Sequence, residues 1–192
     1  MYFPNDMNFQ YFFFGTYPGY FLQVLPIALI AGFICGYHRC KQEHRLLSGQ
    51  VIWPGLFTCY ITGLMSLTLL IGPIGDLWYF LFYHMPSGRS HTWFLFEYDL
   101  IPDFTLRFGT ENLGNIVMFL PFGILYPLAR KNETWRRTVA AGILTSLMIE
   151  FIQPVFGRSF DINDIILNGF GVLISASIFS ILKSFLSVSN QR

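Results

Sequence analysis

The chain has 192 residues, of which 53% are hydrophobic, 19% aromatic and only 12% charged, against roughly one-quarter charged in a soluble domain. Its mean hydropathy of +0.48 places it in a bilayer rather than in water, and a net charge of +1 gives no basis for a nucleic-acid partner. Cys35, Cys40 and Cys59 are odd in number and fit no CxxC spacing, so they read as packing residues and not as a disulfide or metal framework.

In chain order, the leading stretch "MYFPNDMNFQYFFFG" lacks a basic n-region, so no cleavable signal is expected and the first apolar run should remain as an anchor. A hydrocarbon core of about 30 Å needs roughly 20 apolar residues per helix. Five segments meet or approach that length: residues 20–37, 51–72, 113–129, 138–156 and 164–183. The third contains Asn115 and Pro121, and the fourth contains Glu150. Between the second and third, "DLWYFLFYHMP" and "HTWFLFEYDLIP" are dense in Trp, Tyr and Phe, the residues that settle at headgroup level, which predicts interfacial or re-entrant segments over 73–112. The expected architecture is all-α: one integral membrane domain over 1–192 with about five transmembrane helices and no internal repeat.

Lys and Arg concentrate in cytoplasmic loops. With five spans, Arg39, Lys41, Arg45, Arg130, Lys131, Arg136, Arg137, Lys183 and Arg192 fall on one side, and Arg89, Arg107 and Arg158 on the other. The expectation is an N-terminus outside and a C-terminus in the cytoplasm. The third span then begins outside, the fourth ends outside and the fifth begins outside.

The unusual polar residues lie toward that outer side. At about 100° per residue, Ser146, Glu150 and Gln153 share an arc of roughly 60° on the fourth span, and Asp161, Asp164, Asn168, Gly171 and Ser175 an arc of roughly 80° on the fifth. Glu111 and Asn115 form an i, i+4 pair on the third, with Asn112 beside them. Pro154 should end or bend the fourth helix, and Gly157 permits a tight reversal. Asp161 is placed to cap the fifth helix, where Asp164 also meets the positive end of the macrodipole. Pro121 should kink the third helix and free the carbonyl of Val117. An ionised carboxylate deep in lipid costs about 2.5 to 3.5 kcal/mol, so Glu150 needs a partner. Arg158 is the expected cation, with Asn115 or Asn168 as hydrogen-bond donors. Two readings stay open: a clasp that glues three helices, or a solvent-reachable polar pocket.

"NLGNIVMFLPFGILYPL" and "SLMIEFIQPVFGRSFDINDIILNGFGVLI" resemble the two signature blocks of the VanZ-like family, named for a teicoplanin-resistance protein. The matching positions are Asn115, Phe119, Pro121 and Gly123 in the first block. In the second they are Glu150, Gln153, Gly157, Arg158, Asp161, Asp164, Asn168 and Gly171. The signature region runs over about 99–183. The family tends to show an Asn-Leu-Ile-Pro-Phe type stretch where this chain has "YDLIPDF", and Asp99 and Asp103 depart from it. The resemblance implies a multi-pass protein of the bacterial cell membrane whose founding member is associated with lowered susceptibility to lipid-tailed glycopeptides.

Three functions follow as expectations, beside a purely structural or accessory role. The first is a non-enzymatic envelope protein that binds a lipid-linked cell-wall intermediate or a lipoglycopeptide at the outer leaflet, with Arg158, Arg89 and Arg107 available to phosphate or carboxylate. The second is an enzyme on a lipid-borne intermediate, with Glu150 as general acid or base, or Glu150, Asp161 and Asp164 holding a divalent cation. The chain has no HExxH, GxSxG or DxDxDG motif to support it, and His84 and His91 show no ligand spacing. The third is a transporter, against which the missing repeat counts. No cofactor is expected, and membrane lipid is an expected partner. The ligand-binding cluster is expected to comprise Asn112, Asn115, Glu150, Gln153, Arg158, Asp161, Asp164 and Asn168, shaped by Pro121, Gly123, Pro154, Gly157 and Gly171.

Overall fold

A computed structural model describes residues 9–43, 48–105, 108–130 and 133–189. Arg45, Arg107, Lys131 and Arg192 lie outside the described residues. The elements in order are helices α1 (Phe9–Gly15), α2 (Tyr17–Glu43), α3 (Gly49–Leu69) and α4 (Ile71–Tyr83), strand β1 (Tyr98–Asp99), helices α5 (Thr110–Ala129) and α6 (Trp135–Ile152), a 3₁₀ turn (Gln153–Phe156), strand β2 (Phe160–Asp161) and helix α7 (Ile162–Ser189). Five stretches are long and apolar enough to cross a membrane: Tyr17–Gln42, Gly49–Leu69, Thr110–Ala129, Trp135–Phe156 and Ile162–Phe185. The chain is thus an all-α polytopic membrane protein, with spans where the apolar runs predict them.

Chain direction sorts the bundle ends. The start of α2, the end of α3, α4, the loop residues 84–105, the start of α5, the end of α6 and the start of α7 all gather at one end, termed here the loop end. The helix pairs in close contact are α2 with α3, α5 with α7, α6 with α7, and α3 with α5. Small residues set the tightest approach. A Cβ on Gly171 would stand 2.3 Å from the Ile116 carbonyl oxygen, and one on Gly123 would stand 2.2 Å from Ser175 Oγ. These glycines let α5 and α7 run side by side, the packing that replaces hydrophobic association within lipid. The core where α3, α5, α6 and α7 meet is Leu64, Leu69, Phe119, Phe122, Ile149 and Val172.

The region read as interfacial or re-entrant resolves into two parts. Its first part is α4, whose aromatic face packs on α1: Phe13 meets Trp78 and Phe82 edge-on, and Phe14 meets Tyr79. The second part crosses the bundle end and pairs with the segment after α6. Leu95 N–H donates to the Pro154 carbonyl at 2.8 Å and Phe160 N–H to the Glu97 carbonyl at 2.9 Å. Parallel pairing then aligns Tyr98 with Phe160 and Asp99 with Asp161. Proline at 154 converts the end of α6 into the 3₁₀ turn, and Gly157 closes it at φ 75°. Glycine is required there twice over, since a Cβ would stand 1.7 Å from the Thr92 carbonyl oxygen and the left-handed backbone disfavours any side chain.

Pro121 lies inside a continuous α5, as does Pro127. The proline lacks the N–H that would bond the Val117 carbonyl. A cross-helix bond forms one residue farther on, where Tyr60 Oη donates to the Met118 carbonyl at 2.9 Å.

Candidate functional site

The polar residues of α6 point into the protein. Ser146 and Glu150, with Gln153 at the start of the 3₁₀ turn, are all buried, Glu150 to within 1% of full enclosure. Two rungs join this face to α7 and to the end of β2 that leads into it. One turn deeper in the bundle, Asn168 Nδ2 donates to Ser146 Oγ at 2.9 Å. Nearer the loop end, the backbone N–H of Asp161 donates to Glu150 Oε2 at 3.2 Å.

That second rung revises the expected pairing. The only ion pair among the described residues is His91 with Asp76, so Glu150 and Arg158 do not form the anticipated clasp. Arg158 reaches across to α3 and donates from Nη1 to the Thr68 carbonyl at 3.2 Å. Physically, Glu150 is buried on the α6–α7 seam and a main-chain donor is nearer to it. The C-terminal turn of α3 has carbonyls without helical partners, and these suit a guanidinium.

Asp161 behaves as the sequence anticipates for a cap. Its Oδ1 accepts the N–H of Asn163 at 2.7 Å, satisfying a donor at the start of α7 that no helical carbonyl reaches. Asp164, one turn on, accepts a hydrogen bond from Asn115 Nδ2 of α5. Asn115 therefore partners Asp164 and not Glu150.

Asn163, which the sequence reading left out, is the other organising residue. Its Oδ1 accepts the N–H groups of Asp103 and Phe104 at 3.0 and 3.3 Å, and its Nδ2 donates to Asp103 Oδ1 at 3.1 Å. Asp103, one of the two aspartates that depart from the family stretch, thereby fastens the long loop to α7. Asp99 shapes the same loop by accepting the N–H of Ile101 at 3.2 Å.

Beside these residues opens a cavity of about 610 Å³, within the roughly 300–1,000 Å³ of small-molecule sites. Its polar part includes Thr68, Thr110, Glu111, Asn115, Arg158, Ser159, Asp161 and Asp164. Its apolar part comes from Phe21, Leu67, Ile71, Val117 and Met118, with Tyr17 and Tyr20 at the α2 side. Phe21, Tyr17 and Val117 are exposed on the span surfaces, so the cavity is open along the side of the bundle. Glu150, Gln153, Asn168 and Asn112 do not line it. Of the expected cluster, Asn115, Arg158, Asp161 and Asp164 face the cavity, while Glu150, Gln153 and Asn168 form the buried support behind it.

The candidate cation set of Glu150, Asp161 and Asp164 is not assembled as one. No three His, Cys, Asp or Glu side chains among the described residues converge as metal ligands. Glu150 is turned to a backbone amide, and Asp161 and Asp164 each hold a separate donor. His91 is taken up by Asp76, and His84 ends α4 in a left-handed conformation at φ 54°.

A model of the VanZ/LLP1 family matches residues 57–183. The chain belongs to the VanZ/LLP1 family. No curated protein and no solved structure matches it. The VanZ/LLP1 match takes in α5, α6, the 3₁₀ turn and most of α7, hence every polar residue of the cavity. Tyr17, Tyr20 and Phe21 precede the match, so α2 adds a wall that the family model does not include.

Proposed function

We propose that this VanZ/LLP1 protein binds an amphiphile at the outer leaflet of the bacterial cell envelope, and thereby lowers susceptibility to lipid-tailed glycopeptides such as teicoplanin by binding them or altering their access to cell-wall intermediates. The observation that carries this reading is the lateral cavity, polar at the loop end and apolar along the spans. A head group and an attached chain need those two surfaces, continuous with the lipid from which the ligand enters.

Orientation supports the same reading. Arg39, Lys41, Arg130, Arg136, Arg137 and Lys183 sit toward the end opposite the cavity, and only Arg89 and Arg158 of the described Lys and Arg sit at the loop end. By the positive-inside bias the loop end faces outward, with the C-terminus in the cytoplasm. The placement of Glu150 behind the wall favours binding over catalysis, since a general acid or base must come within reach of the substrate.

The test is surface labelling by fluorescent teicoplanin in a host lacking the gene, with wild type and Asp164→Asn at matched membrane levels. Reduced labelling with wild type and restored labelling with the variant are expected. Unchanged labelling by a folded wild-type protein would defeat the antibiotic part of the proposal.

A further inference from the structure

Resting on the amphiphile-binding reading, we infer that the lateral cavity selects a ligand whose head group is cationic, an ammonium in particular. The polar lining contains three carboxylates, of Glu111, Asp161 and Asp164, against one guanidinium, of Arg158. That guanidinium is already committed in part to the Thr68 carbonyl, which fixes it on the α3 wall. Each helix terminus carries roughly half a charge. The N-termini of α5 and α7 thus offset about one of the surplus negative charges, and the C-terminus of α3 restores part of it. The cavity keeps a negative excess beside apolar walls, where charge is poorly screened.

The aromatic lining fits the same ligand. Tyr17 and Tyr20 stand edge to face with ring centroids 6.5 Å apart, and Phe21 follows on the same wall. Aromatic faces beside carboxylates attract an ammonium through both the ring quadrupole and direct charge. An anionic phosphate head would meet three like charges, with only the Thr68-tied guanidinium of Arg158 in its favour, and juxtaposed like charges count against a partner. Phe21, Leu67, Ile71, Val117 and Met118 then supply the surface for the chain.

The full-length protein in nanodiscs would be photolabelled with three dodecyl amphiphiles carrying the same diazirine in the chain, with trimethylammonium, phosphate or maltoside heads. Adducts are mapped by peptide mass spectrometry. Cavity peptides around Phe21 and Val117 should be labelled about tenfold more by the ammonium probe than by the phosphate probe, the ratio that about 1.4 kcal/mol of discrimination gives. Asp161→Asn with Asp164→Asn should erase the preference. Glu111→Gln should weaken it on an intact fold, because Glu111 is an exposed first-turn residue. Equal or stronger labelling by phosphate overturns the head-group inference but leaves an amphiphile site. Absence of cavity adducts from all three probes overturns the binding reading itself.

Discussion

The Glu150 carboxylate, buried within the bundle, is bonded to the backbone N–H of Asp161 at 3.2 Å. This bond anchors the chain where it leaves β2 and starts α7. It therefore fixes the direction in which Asp161 and, one turn later, Asp164 face. The carboxylate that stands out most in the sequence shapes the cavity without lining it.

A variant pair separates acceptor from charge. Glu150→Gln keeps an oxygen for the Asp161 N–H and should leave the fold near wild type. Glu150→Ala orphans a backbone donor, which costs about 1 to 3 kcal/mol. Denaturation midpoints in mixed micelles check this; equal midpoints for the two variants would mean that the bond contributes nothing.

Helix approach gives a second test. Gly171→Ala places a methyl against the Ile116 carbonyl, and overpacking of this kind costs about 1 to 3 kcal/mol. The contact between Asn115 and Asp164 should loosen with it. Gly169→Ala is the control, because its Cβ would meet only Ile143 at 3.7 Å. A lower denaturation midpoint for position 171 alone is expected.

The loop offers a third. Gly157→Ala combines an unfavourable left-handed backbone with a collision at Thr92, so residues 92–99 should detach from the turn after α6. Hydrogen exchange at Leu95 and Phe160, whose N–H groups make the cross-loop bonds, should accelerate relative to wild type. Protection unchanged at both would contradict the described pairing.

A fourth concerns pH at α4, a helix outside the membrane-spanning segments. Burial pushes the Asp76 carboxyl up, but bonds from Ser87 and His91 and the nearby charges of His91 and Arg89 outweigh it and hold it below the ordinary value of 3.8. A depressed carboxylate contributes stability above its unfolded value and loses it as pH falls through the lower folded value. Amide exchange over residues 87–91, corrected for intrinsic rate, should thus stay protected near neutrality and lose protection only below the ordinary carboxylate range. Asp76→Asn should show the unprotected rate at neutral pH.

Much of this arrangement was legible in the sequence because lipid imposes strong rules. Apolar length located five spans, and helical phase placed Glu150 and Ser146 on one buried face of α6. Proline and glycine marked the break at 154 and the reversal at 157. Pairing was less legible. Glu150, Asp161, Asp164, Asn115 and Arg158 lie at similar depth, and which of them meet depends on helix rotation and loop routing that periodicity does not encode. The α2 wall was hidden for another reason: Tyr17, Tyr20 and Phe21 read as ordinary interfacial aromatics, with no polar stripe to mark them. Helix α4, at 13 residues, is too short to register as a span, so its aromatic density suggested an interface without specifying a helix. Asn163 carried one available signal, its place two residues after a capping aspartate, where Asx chemistry concentrates.

The most direct test fills the cavity. Gly114 lines it, and a Cβ there meets no atom within 4 Å, so the side chain of Gly114→Trp starts in open space at the cavity wall. Gly36→Trp, whose Cβ also enters open space, on the far half of α2, serves as the control. Both are expressed at membrane levels matched to wild type in a host lacking the gene, and surface labelling by fluorescent teicoplanin is measured. Wild type and Gly36→Trp are expected to lower labelling, and Gly114→Trp is not. Protection by Gly114→Trp equal to that of wild type would contradict the assignment of function to this cavity.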